Sequence, residues 1–205
     1  MVTRIPVNPG HVEWSGDKPG IYLKQNPDGL FTTLSLLFRV VLSLHGRGTA
    51  MLVLGDPDQP CGWPQARNIC ITDNQALARY LIDAFVANMP AFRGLPGLPH
   101  ARFLPLTSAR SVGDTASRYT EVVQSDGLVA DMAWQDIGAP FAVEARQDQS
   151  STGTHEMVSI FMPAGSAQVT VAGQVLAGQA TEQQMFGRTI STAFLALSET
   201  WIRPI

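Results

Sequence analysis

The chain has little charge of either sign. Only 15% of its 205 residues are charged, and the formal net charge at pH 7 is −3. Proteins dedicated to nucleic-acid binding usually carry a basic excess, so we expect no nucleic-acid partner. A surface with few charges is weakly protected against association. We therefore expect a homo-oligomer, with Trp14, Trp63 and Trp201 in predicted loops, arms or chain ends as candidate interface residues.

Lysine and cysteine are equally scarce, with two residues of each. Lys18 lies in a Gly-Asp-Lys-Pro-Gly stretch that is typical of an exposed turn, and Lys24 follows a short predicted strand. A lysine that forms Schiff bases needs a desolvating pocket, so neither lysine is predicted to form one. Cys61 and Cys70 lack the spacing of a zinc or redox motif, and whether they pair stays open.

The sequence also lacks a long apolar run. The most apolar segment, 34–44, is interrupted by Ser35, Arg39 and Ser43, and it is too short for a membrane-spanning helix. The first seven residues lack the charged and apolar regions of a signal peptide. The expectation is therefore a cytoplasmic protein with no membrane partner and with reduced thiols.

Motifs that bind nucleotides or metals are missing as well. There is no G-x-G-x-x-G after a predicted strand, no P-loop and no G-x-S-x-G nucleophile turn. The four histidines show no metal-ligand spacing. We accordingly expect no cofactor and no metal.

Alternation of apolar residues is the strongest positive signal. Every even-numbered residue from 34 to 44 is apolar, whereas the odd-numbered residues between them are mixed. A period of two is typical of a strand with one face on a core. Some of these residues also fit a helical period, so a helix over 31–45 remains the alternative.

Strand signals dominate the second half of the chain. Segments 117–124 and 128–134 flank a Ser-Asp-Gly turn, and 155–162 and 167–171 flank Pro-Ala-Gly. A further strand is predicted at 141–146 and a long one at 188–201, while strand or helix stays open for 180–190. Short strands separated by turn signals are typical of β-barrels and sandwiches.

A single helix is predicted near 74–88, where apolar residues recur at helical spacing before Pro90. No repeat or change in composition divides the chain, so one domain over 1–205 is expected. The Pro- and Gly-rich segment 1–20 is interpreted as an extended N-terminal arm. The predicted fold is mainly β, with α+β at the margin: an antiparallel barrel or strongly curved sheet with one packed helix.

Three residues are candidates for acid–base catalysis. His155 begins a predicted strand, and its strand face is mixed, as in the lining of a polar cavity. Asp131 lies between Val129 and Ala133 on its own face, an arrangement that raises a carboxyl pKa when it is buried. Glu144 shares a strand face with Arg146, which suggests an ion pair. A histidine and a carboxylate in one pocket could act as acid and base.

Four further residues are candidates for ligand binding. Arg39 is the only charge in the long strand 33–44, and it must find water, a carboxylate or an anionic ligand. Tyr119, Trp134 and Phe161 lie on mixed strand faces and could form aromatic walls. The leading hypothesis is non-catalytic binding of a small apolar or amphipathic molecule in a β-barrel-type cavity.

Two hypotheses of other classes remain open. The first is a cofactor-independent isomerase, lyase or hydrolase that uses a His–carboxylate pair in the same cavity. The second is an oligomeric interaction module. A histidine and a carboxylate within hydrogen-bond reach in one pocket would favour the enzyme. An apolar cavity with one polar group would favour the binding protein.

Overall fold

The structure is a computed structural model, and it describes residues 10–205 of the chain. Within that range, one large and mostly antiparallel sheet contains 13 strands, and a separate hairpin contains two. One α-helix packs against the large sheet. The prediction of a mainly β fold with a curved sheet and one packed helix is confirmed.

The strands follow one another along the chain with these bounds: β1 Gly10–Asp17, β2 Gly20–Lys24, β3 Phe31–Ser43, β4 Gly48–Leu54, β5 Asn68–Thr72, β6 Arg102–Pro105, β7 Ser108–Gly113, β8 Arg118–Ser125, β9 Leu128–Ile137, β10 Phe141–Ala145, β11 Glu156–Val171, β12 Gln174–Val175, β13 Glu182–Met185, β14 Arg188–Ser191 and β15 Ala193–Pro204. The helix α1 spans Gln75–Ala84, and a 3-10 turn follows at Val86–Asn88.

The main path through the sheet is β6-β5-β4-β3-β1-β15-β11-β9-β8-β7. Strand β2 continues in line with β1 and pairs with the same two neighbours, β3 and β15. Strand β11 has 16 residues and changes partner along its length. Its first half pairs with β10 and β15, and its second half pairs with β9. The change of partner folds one part of the sheet over the other.

Two cores result from this bend. The helix-side core lies between the sheet and α1, and it contains Trp14, Tyr22, Phe38, Leu81, Phe85, Phe161, Phe194 and Trp201. The inter-sheet core lies between the two parts of the sheet, and it contains Ile21, Leu37, Met51, Val123, Trp134, Val169 and Leu195. The central strands are therefore buried on both faces.

Local sequence explains the two elements that were predicted best. The even-numbered residues of β3 from Leu34 to Val40 enter the helix-side core, while Leu37 enters the inter-sheet core. The strand prediction for 31–45 is thus confirmed. Helix α1 begins after Asn74, whose side chain accepts a hydrogen bond from the Leu77 amide at 3.1 Å, as expected for an N-cap.

Two segments differ from their predicted structure. The Pro-Ala-Gly stretch that begins at Pro163 was predicted to be a turn, but β11 passes through it because pairing transfers there from β15 to β9. The segment 180–190, left open between strand and helix, contains β13 and the start of β14, which form a hairpin.

The N-terminal arm expected over 1–20 is only partly described. Residues 1–9 lie outside the described range. The remainder forms β1, which pairs with β3 and β15 near the centre of the sheet. Trp14 and Trp201, two of the tryptophans expected at an oligomer interface, are 0% and 2% exposed in the single chain. In residues 10–205 no helix is long and apolar enough to cross a membrane.

Candidate functional site

The helix-side core contains a cavity of about 280 Å³. Its walls come from β2, β10, β11, β15, the segment after α1, the loop before β11 and the β13–β14 hairpin. The apolar part of the lining includes Tyr22, Met157, Phe161, Phe194 and Trp201, and the polar part consists of Lys18, three glutamines and two serines. Phe161 and Phe194 stack with their ring centroids 4.9 Å apart. Apolar walls combined with a smaller number of polar groups are the usual form of a small-molecule site.

A buried ion pair lies at this cavity. Lys18 is a lining residue, and its Nζ is 2.8 Å from Oε1 of Glu199. The two side chains are 7% and 0% exposed. The indole Nε1 of Trp201 donates to the same Oε1 at 2.6 Å. Among residues 10–205, Lys18 is the only charged one in the cavity lining, and Glu199 balances its charge.

Irregularities in two strands place this pair. Ser198 has a positive φ of 52°, and the register between β11 and β15 shifts beside it. The shift changes the alternation of β15, so that Glu199 enters the core. The side chain of Asp17 accepts a hydrogen bond from the Ser198 amide at 3.0 Å and holds the bulge. Gly16, which pairs with Glu199 across β1 and β15, has no room for a side chain, because a Cβ there would lie 2.0 Å from the carbonyl oxygen of Arg39.

The same region holds polar atoms without partners. Oε2 of Glu199 is buried and has no hydrogen-bond partner. Nε2 of the cavity-lining residue Gln183 is also buried and unpartnered. Buried polar atoms normally have partners, and each exception calls for an explanation. A ligand with a polar group is one such explanation.

Tyr22 is an aromatic lining residue of the cavity and carries a hydroxyl group. Burial raises the pKa of Tyr22, and the negative charge of Glu199 raises it further. The phenol is therefore protonated at neutral pH and available as a hydrogen-bond donor. Within residues 10–205 no protein group accepts a hydrogen bond from it.

The three residues predicted to act in catalysis lie apart. In the described part of the chain, no hydrogen bond or ion pair joins any two of His155, Asp131 and Glu144. Asp131 lies on β9 opposite Thr170, and partial burial raises its pKa, although Thr170 and Arg118 oppose the shift. Glu144 lies on the exposed face of β10.

His155 instead belongs to a polar cluster beside the helix-side core. Its Nδ1 is 3.0 Å from the hydroxyls of both Thr152 and Thr154. Its Nε2 is 3.4 Å from Nη2 of Arg203 and 3.9 Å from Oε1 of Glu13. Burial lowers the pKa of His155 and the charge of Arg203 lowers it further, while Glu13 opposes the shift.

Glu13 is the centre of that cluster. It accepts hydrogen bonds from the Tyr80 hydroxyl at 2.5 Å and from Nε of Arg203 at 2.6 Å. Burial alone would raise the pKa of Glu13, but these two hydrogen bonds and the charge of Arg203 hold it below its usual value. None of Glu13, Tyr80, His155 and Arg203 lines the cavity. The cluster therefore ties β1, α1 and β15 together.

The predicted ligand-binding residues form two groups. Arg39, Tyr119 and Trp134 lie on the side of the sheet away from α1. Nη2 of Arg39 donates to the Tyr119 hydroxyl at 3.1 Å, and the Tyr119 and Trp134 rings are 6.0 Å apart. Nη1 of Arg39 is 2.9 Å from Oε1 of the buried Glu121. Phe161 is the one predicted site residue that lines the cavity.

The polar groups of the Arg39 cluster contact one another. The Tyr119 hydroxyl donates to Glu121, and Ser111 donates to the same carboxylate at 3.0 Å. Trp134 donates its indole N–H to the carbonyl oxygen of Gly20 at 3.1 Å. The cluster therefore links β3 to β8 across the bend of the sheet.

Lys18 and Glu199 are the site residues that sequence reasoning missed. Lys18 was predicted to lie in an exposed turn, yet it is 6% exposed, because the chain runs straight from β1 into β2. A signal for this was present: Trp14, Lys18 and Tyr22 all lie on even-numbered positions of one extended segment. No comparable signal marked Glu199, because the bulge at Ser198 breaks the alternation.

The described residues contain no group of three or more His, Cys, Asp or Glu side chains that could hold a metal ion. Cys61 and Cys70 are both free, and burial raises the pKa of the Cys70 thiol to about 12. Comparisons of the chain with protein-family models, with curated proteins and with solved structures found no match.

Proposed function

We propose that the protein binds a small, neutral, amphipathic molecule in the cavity at Lys18. The observation that carries this proposal is a cavity with aromatic and methionine side chains in its walls and with Lys18 in its lining, whose charge is balanced by the buried Glu199. The arrangement matches the usual anatomy of a ligand site, in which apolar walls supply affinity and a few polar groups fix orientation.

The size of the cavity limits the ligand. A cavity of about 150 Å³ lined by aliphatic and aromatic side chains can hold benzene. The present cavity has about 280 Å³, which corresponds to a molecule with one ring and a short chain or with two fused rings. The flat rings of Phe161, Phe194 and Trp201 suit an aromatic body.

The charge balance favours a neutral ligand. Lys18 and Glu199 compensate each other, and no other charged residue of the described part of the chain lines the cavity. An anionic ligand would add a third buried charge, and an uncompensated buried charge costs several kcal/mol. A neutral acceptor, such as a carbonyl or hydroxyl oxygen, can take a hydrogen bond from Lys18 or from the amide of Gln183 without that penalty.

An enzyme built on His155 receives less support. Its nearest carboxylate is Glu13, at 3.9 Å, which is beyond hydrogen-bond distance. Both side chains lie outside the cavity lining. Asp131 and Glu144, the carboxylates expected to act with His155, lie on other strands. A binding function is therefore the better match to the geometry.

The test uses 2-naphthol and 2-naphthoate, which have the same ring system and differ in charge. We expect 2-naphthol to bind and 2-naphthoate to bind at least about tenfold more weakly, as measured by isothermal titration calorimetry. Native mass spectrometry of the purified chain would show whether a small molecule co-purifies. Tighter binding of the naphthoate would contradict the proposal.

Two alanines on β10 provide a matched pair of variants. Ala145 is buried and lines the cavity, whereas Ala142 is exposed on the opposite face of the same strand. We expect Ala145→Phe to fill the cavity and weaken 2-naphthol binding at least about tenfold, and Ala142→Phe to leave it unchanged. Ser151→Trp, at a half-buried lining position, repeats the test if Ala145→Phe fails to fold. Unchanged binding in both folded cavity variants would refute the proposed site.

A further inference from the structure

We infer that Lys18 captures carbonyl ligands by forming a reversible imine, and that the class of ligand is a small aromatic aldehyde or ketone. This inference rests on the proposed function, because it places the chemistry in the same cavity. The residues that carry it are Lys18, Glu199 and Tyr22.

The amine of Lys18 is placed by its ion pair. The ammonium group has three N–H donors, and one of them is directed to Glu199 at 2.8 Å. Lys18 is one of the residues that line the cavity, and we assign its nitrogen to the cavity side of the ion pair. A desolvating pocket is the environment in which a lysine acts as a nucleophile toward carbonyl groups.

The second step is the removal of a proton from the ammonium. Oε1 of Glu199 is the hydrogen-bond partner of Nζ, and Oε2 is buried without any partner. Transfer of one proton to this carboxylate gives a neutral amine beside a neutral carboxylic acid. The acceptor is therefore already in contact with the group that must lose the proton, as general base catalysis requires.

The third step is the covalent chemistry. The lone pair of Nζ attacks the carbonyl carbon, an N–C bond forms, and the carbonyl π pair moves to oxygen, which takes up one of the two nitrogen protons to give a carbinolamine. The C–O bond then breaks, and the oxygen leaves as water with the proton that Glu199 had accepted. The nitrogen keeps one hydrogen as a protonated imine, and Glu199 is again a carboxylate. Overall, ammonium, carboxylate and carbonyl become iminium, carboxylate and one water, with no oxidant or reductant.

The charges of the site explain why this reaction suits it. Before the reaction an ammonium faces Glu199, and after it an iminium faces the same carboxylate. The buried negative charge is thus compensated both before and after the reaction, which avoids the penalty of an isolated buried charge. Tyr22 is a lining residue, and we assign its hydroxyl the role of donor to the carbonyl oxygen during attack.

The other lysine provides a control within the same chain. Nζ of Lys24 donates to the carbonyl oxygen of Pro27 at 3.1 Å and lies 4.9 Å from the ring centroid of Phe31. It is not a cavity residue and has no carboxylate partner in the described part of the chain. Because the protein has only two lysines, peptide mapping can assign every lysine adduct.

The experiment treats the full-length protein with 2-naphthaldehyde and sodium cyanoborohydride, which reduces an imine to a stable amine. We expect mass spectrometry to show one adduct, at Lys18, formed at least about tenfold faster than adducts at Lys24 or the α-amino group. Excess 2-naphthol, which has no carbonyl, should slow the labelling of Lys18 by occupying the cavity. Lys18→Arg keeps the positive charge and should abolish this adduct, whereas Lys24→Arg should not.

The outcomes separate this inference from the proposed function. If 2-naphthol binds but Lys18 is labelled no faster than Lys24, the imine inference is wrong and the binding function stands. If Lys18 is labelled and 2-naphthol does not slow it, the reaction does not use the cavity, and the inference is overturned. If 2-naphthol does not bind and Lys18 is not labelled, both proposals fail. Because the site of labelling is read in the wild-type protein, a variant that fails to fold leaves the test intact.

Discussion

Replacing Lys18 with methionine tests whether the ion pair is as deeply buried as the structure indicates. Methionine keeps most of the apolar stem of lysine and removes the ammonium group. Glu199, with a side chain 0% exposed, would then keep only one hydrogen bond, from Trp201. The variant therefore isolates the effect of leaving a buried carboxylate without its counter-ion.

The magnitude follows from the burial of both groups. Breaking a buried ion pair by removing one partner destabilises a protein by about 3–5 kcal/mol. With an m value of about 2 kcal/mol per M of urea, the unfolding midpoint should fall by about 2 M. Neutralising both groups in Lys18→Met/Glu199→Gln removes the unpaired charge and leaves one unsatisfied amide, which costs about 1–3 kcal/mol. The double variant should therefore be more stable than Lys18→Met alone.

Urea unfolding monitored by tryptophan fluorescence and by circular dichroism measures these differences. Lys24→Met is the matched control, because Lys24 is only partly buried and contacts a backbone carbonyl rather than a carboxylate. It should change the free energy of unfolding by less than about 0.5 kcal/mol. A Lys18→Met variant as stable as the Lys24→Met control would refute the buried pair. A double variant less stable than Lys18→Met would refute the assigned cause.

Two further predictions concern the surroundings of the site. Burial lowers the pKa of His155 in the folded protein, whereas a histidine in the unfolded chain keeps its reference pKa of about 6.5. As the pH falls to this value, the unfolded chain therefore binds more protons than the folded protein. The free energy of unfolding should therefore fall as the pH drops from 8 to below about 6.5, and the urea midpoint of the His155→Asn variant should fall less over the same range. Equal losses in the two proteins would contradict a lowered pKa of His155. A Cβ on Gly16 would lie 2.0 Å from a carbonyl oxygen, so Gly16→Ala should cost at least about 1–3 kcal/mol by urea unfolding. Gly138→Ala, whose nearest contact would be 3.3 Å, is the control, and equal effects would count against the close approach.

The fold could be predicted largely because its signals are local. The alternation in β3 and the apolar face of α1 are readable over a dozen residues, and both elements form as expected. The change of partner within β11 could not be read in this way. Pro163 looks like the start of a turn in sequence, but here it marks the point where one strand passes from β15 to β9. Only the arrangement of distant strands determines that outcome.

The site could not be predicted because its parts are separated by nearly the whole chain. Lys18 and Glu199 lie 181 positions apart and meet through the pairing of β1 with β15. Gly-Asp-Lys-Pro-Gly has the composition of a turn, but the turn propensity of this segment is overridden by the strand pairing of β1 before it and of β2 after it. The carboxylate nearest to His155 is that of Glu13 from β1, at 3.9 Å, and not that of Asp131 or Glu144. Long-range register, which composition does not encode, decides each of these contacts.

Several irregular features lie around the ion pair at the cavity. They are the positive φ of Ser198, the lack of space for a Cβ at Gly16 and the unpartnered buried oxygen of Glu199. Similar features occur elsewhere in the described residues, such as the positive φ of Asp136 and Ala172, but those two residues do not line the cavity. A buried ion pair contributes little stability compared with apolar residues of the same size. Features that break local rules without a gain in stability are common at functional sites, and the irregular features around Lys18 and Glu199 therefore support the proposal of a ligand site there.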